Sequence, residues 1–294
     1  MTLKVLILGA SGFLGRNLVT YWRKHSPDLE VIPFSRTSVD KWQDNLSKFV
    51  SAGKSARVIN CAAMSDPAEC ERKPKEAAAA NTQFALEAGR FCEKLKVPFI
   101  QISSDGLFPV PEHSPRYWTL ADEPSPITTY GRTKRDAEIA LGKLGWGQCV
   151  RLSFVGPGLG TTRGLISFLA NSIHRSDQPI HGFTDIWFTP LHVDDVAEKL
   201  GALLKSDCSG FKISHWGSFP AQTKHDFISA VLRAAAQNVQ VLAVKRSELP
   251  GLAPVPTDQS LKAEEAISSD QLVSKSAQSL REELMAIAAN RAKA

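Results

Sequence analysis

The chain has 294 residues, 43% hydrophobic and 22% charged, enough apolar content to bury a sizeable core as one large domain or two unequal ones. Its 35 Lys and Arg against 30 Asp and Glu leave a net charge of +5, scattered rather than clustered, which argues against a nucleic-acid groove and suits a phosphorylated cofactor and substrate. The apolar run at residues 5–8 is too short for a signal peptide, no eighteen apolar residues occur together, and the five cysteines (Cys61, Cys70, Cys92, Cys149, Cys208) show no C-x-x-C spacing, so we expect a cytoplasmic protein with reduced thiols and no membrane association.

In chain order, a buried-type strand at residues 5–8 breaks into Gly9, Gly12 and Gly15, followed by an amphipathic helix (Phe13, Leu14, Leu18, Val19, Trp22). This is the pattern of a pyrophosphate cradle: Gly9 for the sharp turn, Gly12 for close approach of the backbone, Gly15 for packing of the helix, with Ser11, Phe13 and Leu14 completing the loop. A Gly-rich turn that binds nothing is the plain alternative. The next strand, residues 30–34, ends at Ser35 and Arg36. An Asp or Glu there would hold a ribose 2′-hydroxyl, whereas Arg36 attracts a 2′-phosphate and points to NADP; a solvated arginine is the alternative.

Helical spacing covers residues 40–52, and a strand at 57–61 runs into Cys61, Ala62, Ala63 and Met64. Their small size either leaves room for a cofactor or serves close packing. Pro74 opens a long helix through Leu95, in which Asn81 reads as solvated or as a local backbone partner. The strand at 98–103 delivers Ser103, Ser104 and Asp105 to the same carboxyl edge. A Pro-rich loop (Pro109 to Pro126) then leads to a helix ending at Leu144, where Tyr130 and Lys134, four apart, share a face. A phenol with a pKa near about 10 needs a nearby cation to favour phenolate. Lys134 can supply it and can hold the nicotinamide ribose, while Ser104 can donate a hydrogen bond to a substrate carbonyl oxygen. The strand–helix alternation predicts an α/β fold, a Rossmann-type doubly wound parallel sheet.

The ordered motifs G-A-S-G-F-L-G, N-C-A-A, I-S-S-D-x-L-F and P-x-T-T-Y-G-R-T-K resemble the extended short-chain dehydrogenase/reductase superfamily, and within it dTDP-4-dehydrorhamnose reductase and its relatives. The likeness extends over nearly the whole chain, through R-L-S-F-V-G at residues 151–156 and T-P-L-H-V-D-D-V-A at 189–197. It implies Ser104, Tyr130 and Lys134 as the catalytic set, Phe154 as an aromatic near the sugar together with Asp105, and NADPH as cofactor. Gly106 stands where that family usually has an aromatic, and residues 255–262 match its C-terminal pattern poorly, so an altered nucleotide-sugar site is expected.

Beyond Gly156 the alternation fades: helix 164–176, strand 186–191, helix 193–204, strand 210–214, helix 225–236, a Pro-rich loop or lid at 247–266, and a last helix from about Ser279. The expected division is an NADP-binding unit at 1–155, with 186–205 returning to it, and a smaller interleaved α/β substrate-binding unit at 156–185 and 206–294. None of the seven histidines has metal-ligand spacing, so no metal is expected. The leading expectation is an NADPH-dependent reductase of a keto group on a nucleotide-linked deoxysugar, with that sugar and a second copy of the chain in a homodimer as partners. Two readings compete with it. A dehydratase or epimerase on the same fold is opposed by Ser104-Asp105-Gly106, which lacks the second carboxylate for elimination, and by Arg36, which disfavours retained NAD. A non-catalytic NADP-binding regulator, like the regulatory subunit of methionine adenosyltransferase, is opposed by the intact Ser104, Tyr130 and Lys134.

Overall fold

The computed structural model describes residues 2–35, 41–53, 55–161, 164–175, 179–206 and 210–291. The chain opens with β1 (Leu3–Leu8), α1 (Phe13–His25), β2 (Leu29–Phe34), α2 (Trp42–Ser51) and β3 (Ala56–Asn60). It continues through α3 (Pro67–Arg72), α4 (Pro74–Ala78), a π-helical turn (Ala79–Gln83), α5 (Phe84–Lys94), β4 (Phe99–Ile102), α6 (Thr129–Leu144) and β5 (Gly147–Arg151). Next come β6 (Phe154–Val155), α7 (Leu165–Arg175), β7 (Ile180–Phe183), β8 (Trp187–Phe188), β9 (Leu191–His192), α8 (Val193–Lys205) and β10 (Phe211–His215). The last elements are β11 (Ser218–Phe219), β12 (Gln222–Thr223), α9 (Lys224–Ala234), β13 (Val241–Val244), β14 (Asp258–Gln259), β15 (Ile267–Ser268) and α10 (Ser269–Arg291).

Six parallel strands form the central sheet in the order β10-β5-β4-β3-β1-β2. The order reverses between β1 and β3, so the connections leaving their carboxyl ends diverge and open a crevice there. Residues 5–8 of β1 are an unbroken apolar run because both faces of the strand are covered there. Val5 and Ile7 pack with Leu14, Leu18 and Trp22 of α1 and Val196 and Leu200 of α8. Leu6 and Leu8 pack on the other face with Trp42 and Leu46 of α2, Cys92 of α5 and Leu141 of α6. β2 lies at the edge, which is where Pro33, lacking an N–H, is tolerated in a ladder. A second core is built from α7, α9 and α10 around Leu169, Phe188, Phe227, Val231 and Leu280.

The structure departs from the sequence expectations in three places. β10, residues 211–215, expected in the smaller unit, is the sixth strand of the central sheet and pairs with β5 on the side away from β4, covering what would otherwise be an open edge. The strand expected over 186–191 is two strands, because Thr189-Pro190 interrupts it: β8 pairs with β12 and β14, and β9 pairs with β6. The final helix begins at Ser269 rather than about Ser279. Its buried face mixes Leu272, Ala277 and Leu280 with the buried serines 269, 276 and 279, which blurs the apolar periodicity over its first turns.

Candidate active site

The glycine turn is dictated by close backbone packing. Gly9 has φ +80°, and a Cβ there would stand 2.5 Å from the Ala62 nitrogen; one on Gly15 would stand 2.4 Å from the Gly9 carbonyl oxygen. Gly9 thus seats the turn against the loop after β3, and Gly15 seats α1 on the turn. Gly12 is the N-cap of α1, with no side-chain cap and no acidic residue in the first turn, so the positive end of the helix is left for an anion. Arg16 Nε donates to the Ser11 carbonyl at 2.9 Å and adds positive charge beside the turn. The Leu14 side chain lies in the core, leaving only its backbone to face a ligand. Phe13 stacks on Phe154 with centroids 5.8 Å apart and planes 9° from parallel. Ser35 follows β2 directly, whereas Arg36 lies outside the described residues.

Cys61, Ala62, Ala63 and Met64 leave the carboxyl end of β3 beside this turn. Asn60 holds the first of the alanines, its Oδ1 accepting from Ala62 N at 3.0 Å while its Nδ2 donates to Gln101 Oε1 at 2.8 Å. Asn81, expected to be solvated or locally paired, is instead buried and long-range. Its Oδ1 accepts from Met64 N at 2.8 Å, and its Nδ2 donates to Met64 O at 3.1 Å and to Thr133 Oγ1 at 2.9 Å. The π-helical turn aims it inward, a local widening that ordinary helical periodicity does not reveal.

α6 is fixed at its start by two carboxylate and hydroxyl contacts. Thr128 caps it through Gly131 N at 3.0 Å, and Glu71 of α3 accepts from Thr129 N at 2.7 Å and Thr129 Oγ1 at 2.6 Å. The structure brings Ser104 and Tyr130 together, the serine hydroxyl near enough to the phenol to draw its pKa down. Ser104 Oγ also accepts from Gly106 N at 3.0 Å and donates to Asp105 Oδ1 at 3.3 Å. Burial, with the Asp105 charge second, pushes the Tyr130 phenol well above its ordinary pKa. The expected drift toward phenolate is therefore reversed, and the phenol keeps its proton. Lys134 is buried one turn on, donating to the Ile102 carbonyl at 2.6 Å, and burial lowers its pKa to about 8 against the pull of Cys149, Cys61 and Glu138.

Ser103 does not join them. Its hydroxyl donates to Glu138 Oε1 at 2.6 Å, and Glu138 is held by Arg151 through Nε at 2.9 Å and Nη2 at 2.7 Å. Arg151 Nη1 lies 3.2 Å from His215 Nε2, and His215 Nδ1 lies 3.1 Å from the Trp118 carbonyl. Burial, then Arg151, lowers the His215 pKa to about 4, so the ring is neutral and donates from Nδ1 to Trp118. A buried polar chain therefore runs from α6 across β5 and β10 to the Pro-rich loop. Trp118 stacks on Phe108 at 4.8 Å in a small cluster with Leu107 and Leu261.

The divergent stretch at 255–262 braces that same loop. Asp258 Oδ2 accepts from Arg116 N at 2.6 Å, Tyr117 N donates to Ser260 Oγ at 2.9 Å, and Trp118 N and O pair with Ser260 O and Lys262 N at 2.8 Å each. A Cβ on Gly106 would stand 3.5 Å from Ser104 Oγ, 3.9 Å from Gln259 Nε2 and 4.0 Å from Pro256 Cγ, ordinary contacts that leave room for a side chain. Gln259 also lines a cavity of about 1020 Å³, shared with Phe168, Arg175, His181, Lys224 and Arg246. Sequence reasoning missed Asn81, Glu71, Glu138, Arg151, His215, Lys224 and Gln259, because each acts through a partner distant in the chain. Among the described residues no group of three or more His, Cys, Asp or Glu could hold a metal ion, and no helix is long and apolar enough to cross a membrane.

Residues 3–291 match the family described as RmlD substrate binding domain. The chain belongs to that family. Among curated relatives it is 34% identical over 58% of its length to a probable low-salt glycan biosynthesis reductase of Haloferax volcanii, a match spanning 56% of that relative. It is 27% identical to the dTDP-4-keto-6-deoxy-D-glucose reductase of Streptomyces niveus, over 79% of each chain. It is also 26% identical to methionine adenosyltransferase 2 subunit beta of Rattus norvegicus, over 79% of this chain and 72% of that one. The fold of this RmlD-family chain matches the crystal structure of dTDP-4-dehydrorhamnose reductase from Bacillus anthracis in complex with NADP, with TM-score 0.79 and 19% identity over 94% of this chain and 97% of the other.

Proposed function

We propose that this protein is an NADPH-dependent reductase of a keto group on a nucleotide-linked deoxysugar. The observation that carries the reading is the meeting of Ser104, protonated Tyr130 and Lys134 at the carboxyl edge of the sheet, beside an uncapped helix start. The chain's residues fit the cofactor. Gly9, Ser11, Gly12, Phe13, Leu14 and Gly15 would hold the pyrophosphate on backbone N–H groups. Ser35 and Arg36 would face the 2′-phosphate, Cys61 to Met64 would lie along the adenosine half, and Lys134 would hold the nicotinamide ribose. When bound, NADPH supplies hydride. Ser104 donates to the carbonyl oxygen, and Tyr130 gives that oxygen its proton as negative charge develops there. Phe154, held flat against Phe13, would wall the sugar side of the nicotinamide site.

The cavity in the smaller unit supports a nucleotide diphosphate on the substrate. Phe168 and Phe183 offer apolar faces to a base, and Arg175, which makes no ion pair among the described residues, offers positive charge to phosphates. Arg246 serves the wall instead, donating to the carbonyls of Leu249, Leu252 and Ala253. A cytoplasmic homodimer is part of the same reading, to be checked by cell fractionation and analytical ultracentrifugation. The deciding experiment is NADPH oxidation with dTDP-linked 4-keto-6-deoxyhexoses: one mole of alcohol per mole of NADPH is expected. Tight NADPH binding without turnover of any such sugar would favour the regulatory reading suggested by the methionine adenosyltransferase relative.

A further inference from the structure

Three polar groups near the reacting edge have hydrogen-bonding capacity that the described residues do not use. Asp105 is buried, its Oδ1 taken by Ser104, its Oδ2 without a hydrogen-bond partner. Ser153, in the segment between β5 and β6, is near enough to influence that carboxyl, yet its hydroxyl also completes no hydrogen bond. Lys224, the first residue of α9, lays its ammonium 3.5 Å from the centroid of the Phe188 ring and makes no side-chain hydrogen bond or ion pair among the described residues. The three belong to one place. Phe188 is in register with Gln259 across β8 and β14, and Gln259 Nε2 lies 3.9 Å from the point where a Gly106 side chain would begin. Lys224 and Gln259 both line the cavity, and Lys224 and Asp105 are close enough that the charge of each acts on the other.

A carboxylate facing an ammonium across a gap too wide for an ion pair recognises a group that donates to one and accepts from the other. A sugar hydroxyl does both. We propose that Asp105 and Lys224 clamp the hydroxyl on the carbon next to the reacting carbonyl, and so select nucleotide-linked keto-sugars that carry that hydroxyl over their deoxy counterparts. The inference rests on the reductase reading above. Adjacency follows from the contact between Asp105 and Ser104, because a substrate whose carbonyl oxygen meets Ser104 places the neighbouring substituent toward Asp105. The clamp also frees the serine. Ser104 has one proton, now directed at Asp105 Oδ1; a substrate hydroxyl donating to that carboxylate lets Ser104 turn its own proton to the carbonyl oxygen. Lys224 is thus a specificity residue, and Asp105 both binds and positions.

The test compares a dTDP-linked 4-keto-6-deoxyhexose with its 3-deoxy counterpart, in the wild-type protein and in Lys224→Met, with Lys224→Arg as the charge-retaining control. The wild type is expected to favour the hydroxylated sugar by about tenfold or more in kcat/KM, Lys224→Met to shrink that preference to within about twofold, and Lys224→Arg to keep part of it. NADPH affinity should not change in either variant, which also reports that each is folded; should Lys224→Met fail that check, Lys224→Gln takes its place. Calorimetry with the corresponding 4-hydroxy sugars on the NADP-bound protein separates the two readings. Discrimination in binding without turnover would sink the reductase reading and keep the clamp. Turnover with no preference for the hydroxyl, or a Lys224→Met variant that loses both sugars equally, would overturn the clamp, the latter by assigning Lys224 to the diphosphate.

Discussion

Tyr130 and Lys134 share one face of α6, and burial acts on them in opposite senses. It holds the proton on the phenol and loosens the proton on the ammonium, to a pKa of about 8. Tyr130→Phe should therefore lower turnover by about 10²–10⁴-fold while leaving NADPH affinity within about twofold, since the ring packs and only the hydroxyl reacts. Retention of wild-type turnover would show that the proton comes from elsewhere. Ser104→Ala should cost about a hundredfold in kcat with NADPH binding intact. The lysine makes a different prediction. Below about pH 8 it is an ammonium able to hold ribose hydroxyls, and above that it is neutral, so NADPH affinity should weaken as pH rises from about 7 to about 9.5. Fluorescence titration measures this directly, and a dissociation constant flat across that range would remove Lys134 from the cofactor site. Arg36 makes a third: Arg36→Ala should weaken NADPH by about tenfold, or about 1.4 kcal/mol, while barely changing NADH.

The helical run from α4 through α5 shows what an element can do that its residues do not announce. One widened turn converts Asn81 from a surface amide into a bridge between the loop after β3 and α6. Asn81→Ala removes all of its hydrogen bonds at once, and we expect a loss of about 2–3 kcal/mol in denaturant unfolding, with an unchanged midpoint counting against the bridge. The strands that lead to the candidate site were legible in the sequence, because β1, β3 and β4 are buried, mostly apolar strands followed within a few residues by glycine, alanine or serine. Arg151 and His215 were not. Each sits in a strand that reads as ordinary, and their meaning arises only when β10 is laid beside β5 by the sheet. The stretch at 255–262 was legible as a departure from the family pattern but not as a brace, since its partner loop lies well over a hundred residues earlier. α10 was half seen, its serines masking its first turns.

At the scale of the whole molecule, the Pro-rich loop is held from two directions, by Arg151 and His215 from the sheet and by Asp258 and Ser260 from the C-terminal arm. Asp258→Ala weakens the second hold, removing the acceptor of Arg116 N, without touching the first. It should raise the KM for the nucleotide sugar several-fold, about tenfold at most, with NADPH affinity unchanged, and speed hydrogen exchange at residues 116–119. Unchanged exchange there would mean that Asp258 is not needed to hold the loop, the Ser260 pairings and the His215 contact sufficing.

The place of β10 at the edge of the central sheet also has a consequence for biosynthesis. As the chain leaves the ribosome, its first 155 residues emerge without one of the six strands and without α8, whose Val196, Leu200 and Leu204 cover one face of the sheet. Arg151 is at that stage without the ring of His215 beside it. The cofactor-binding half is thus finished only after residue 215 has been made, and residues 156–185 of the smaller unit are threaded between its parts. N-terminal fragments ending before that point are therefore expected to meet chaperones and proteases as incomplete folds, and a nascent chain should gain its protease resistance late and nearly all at once.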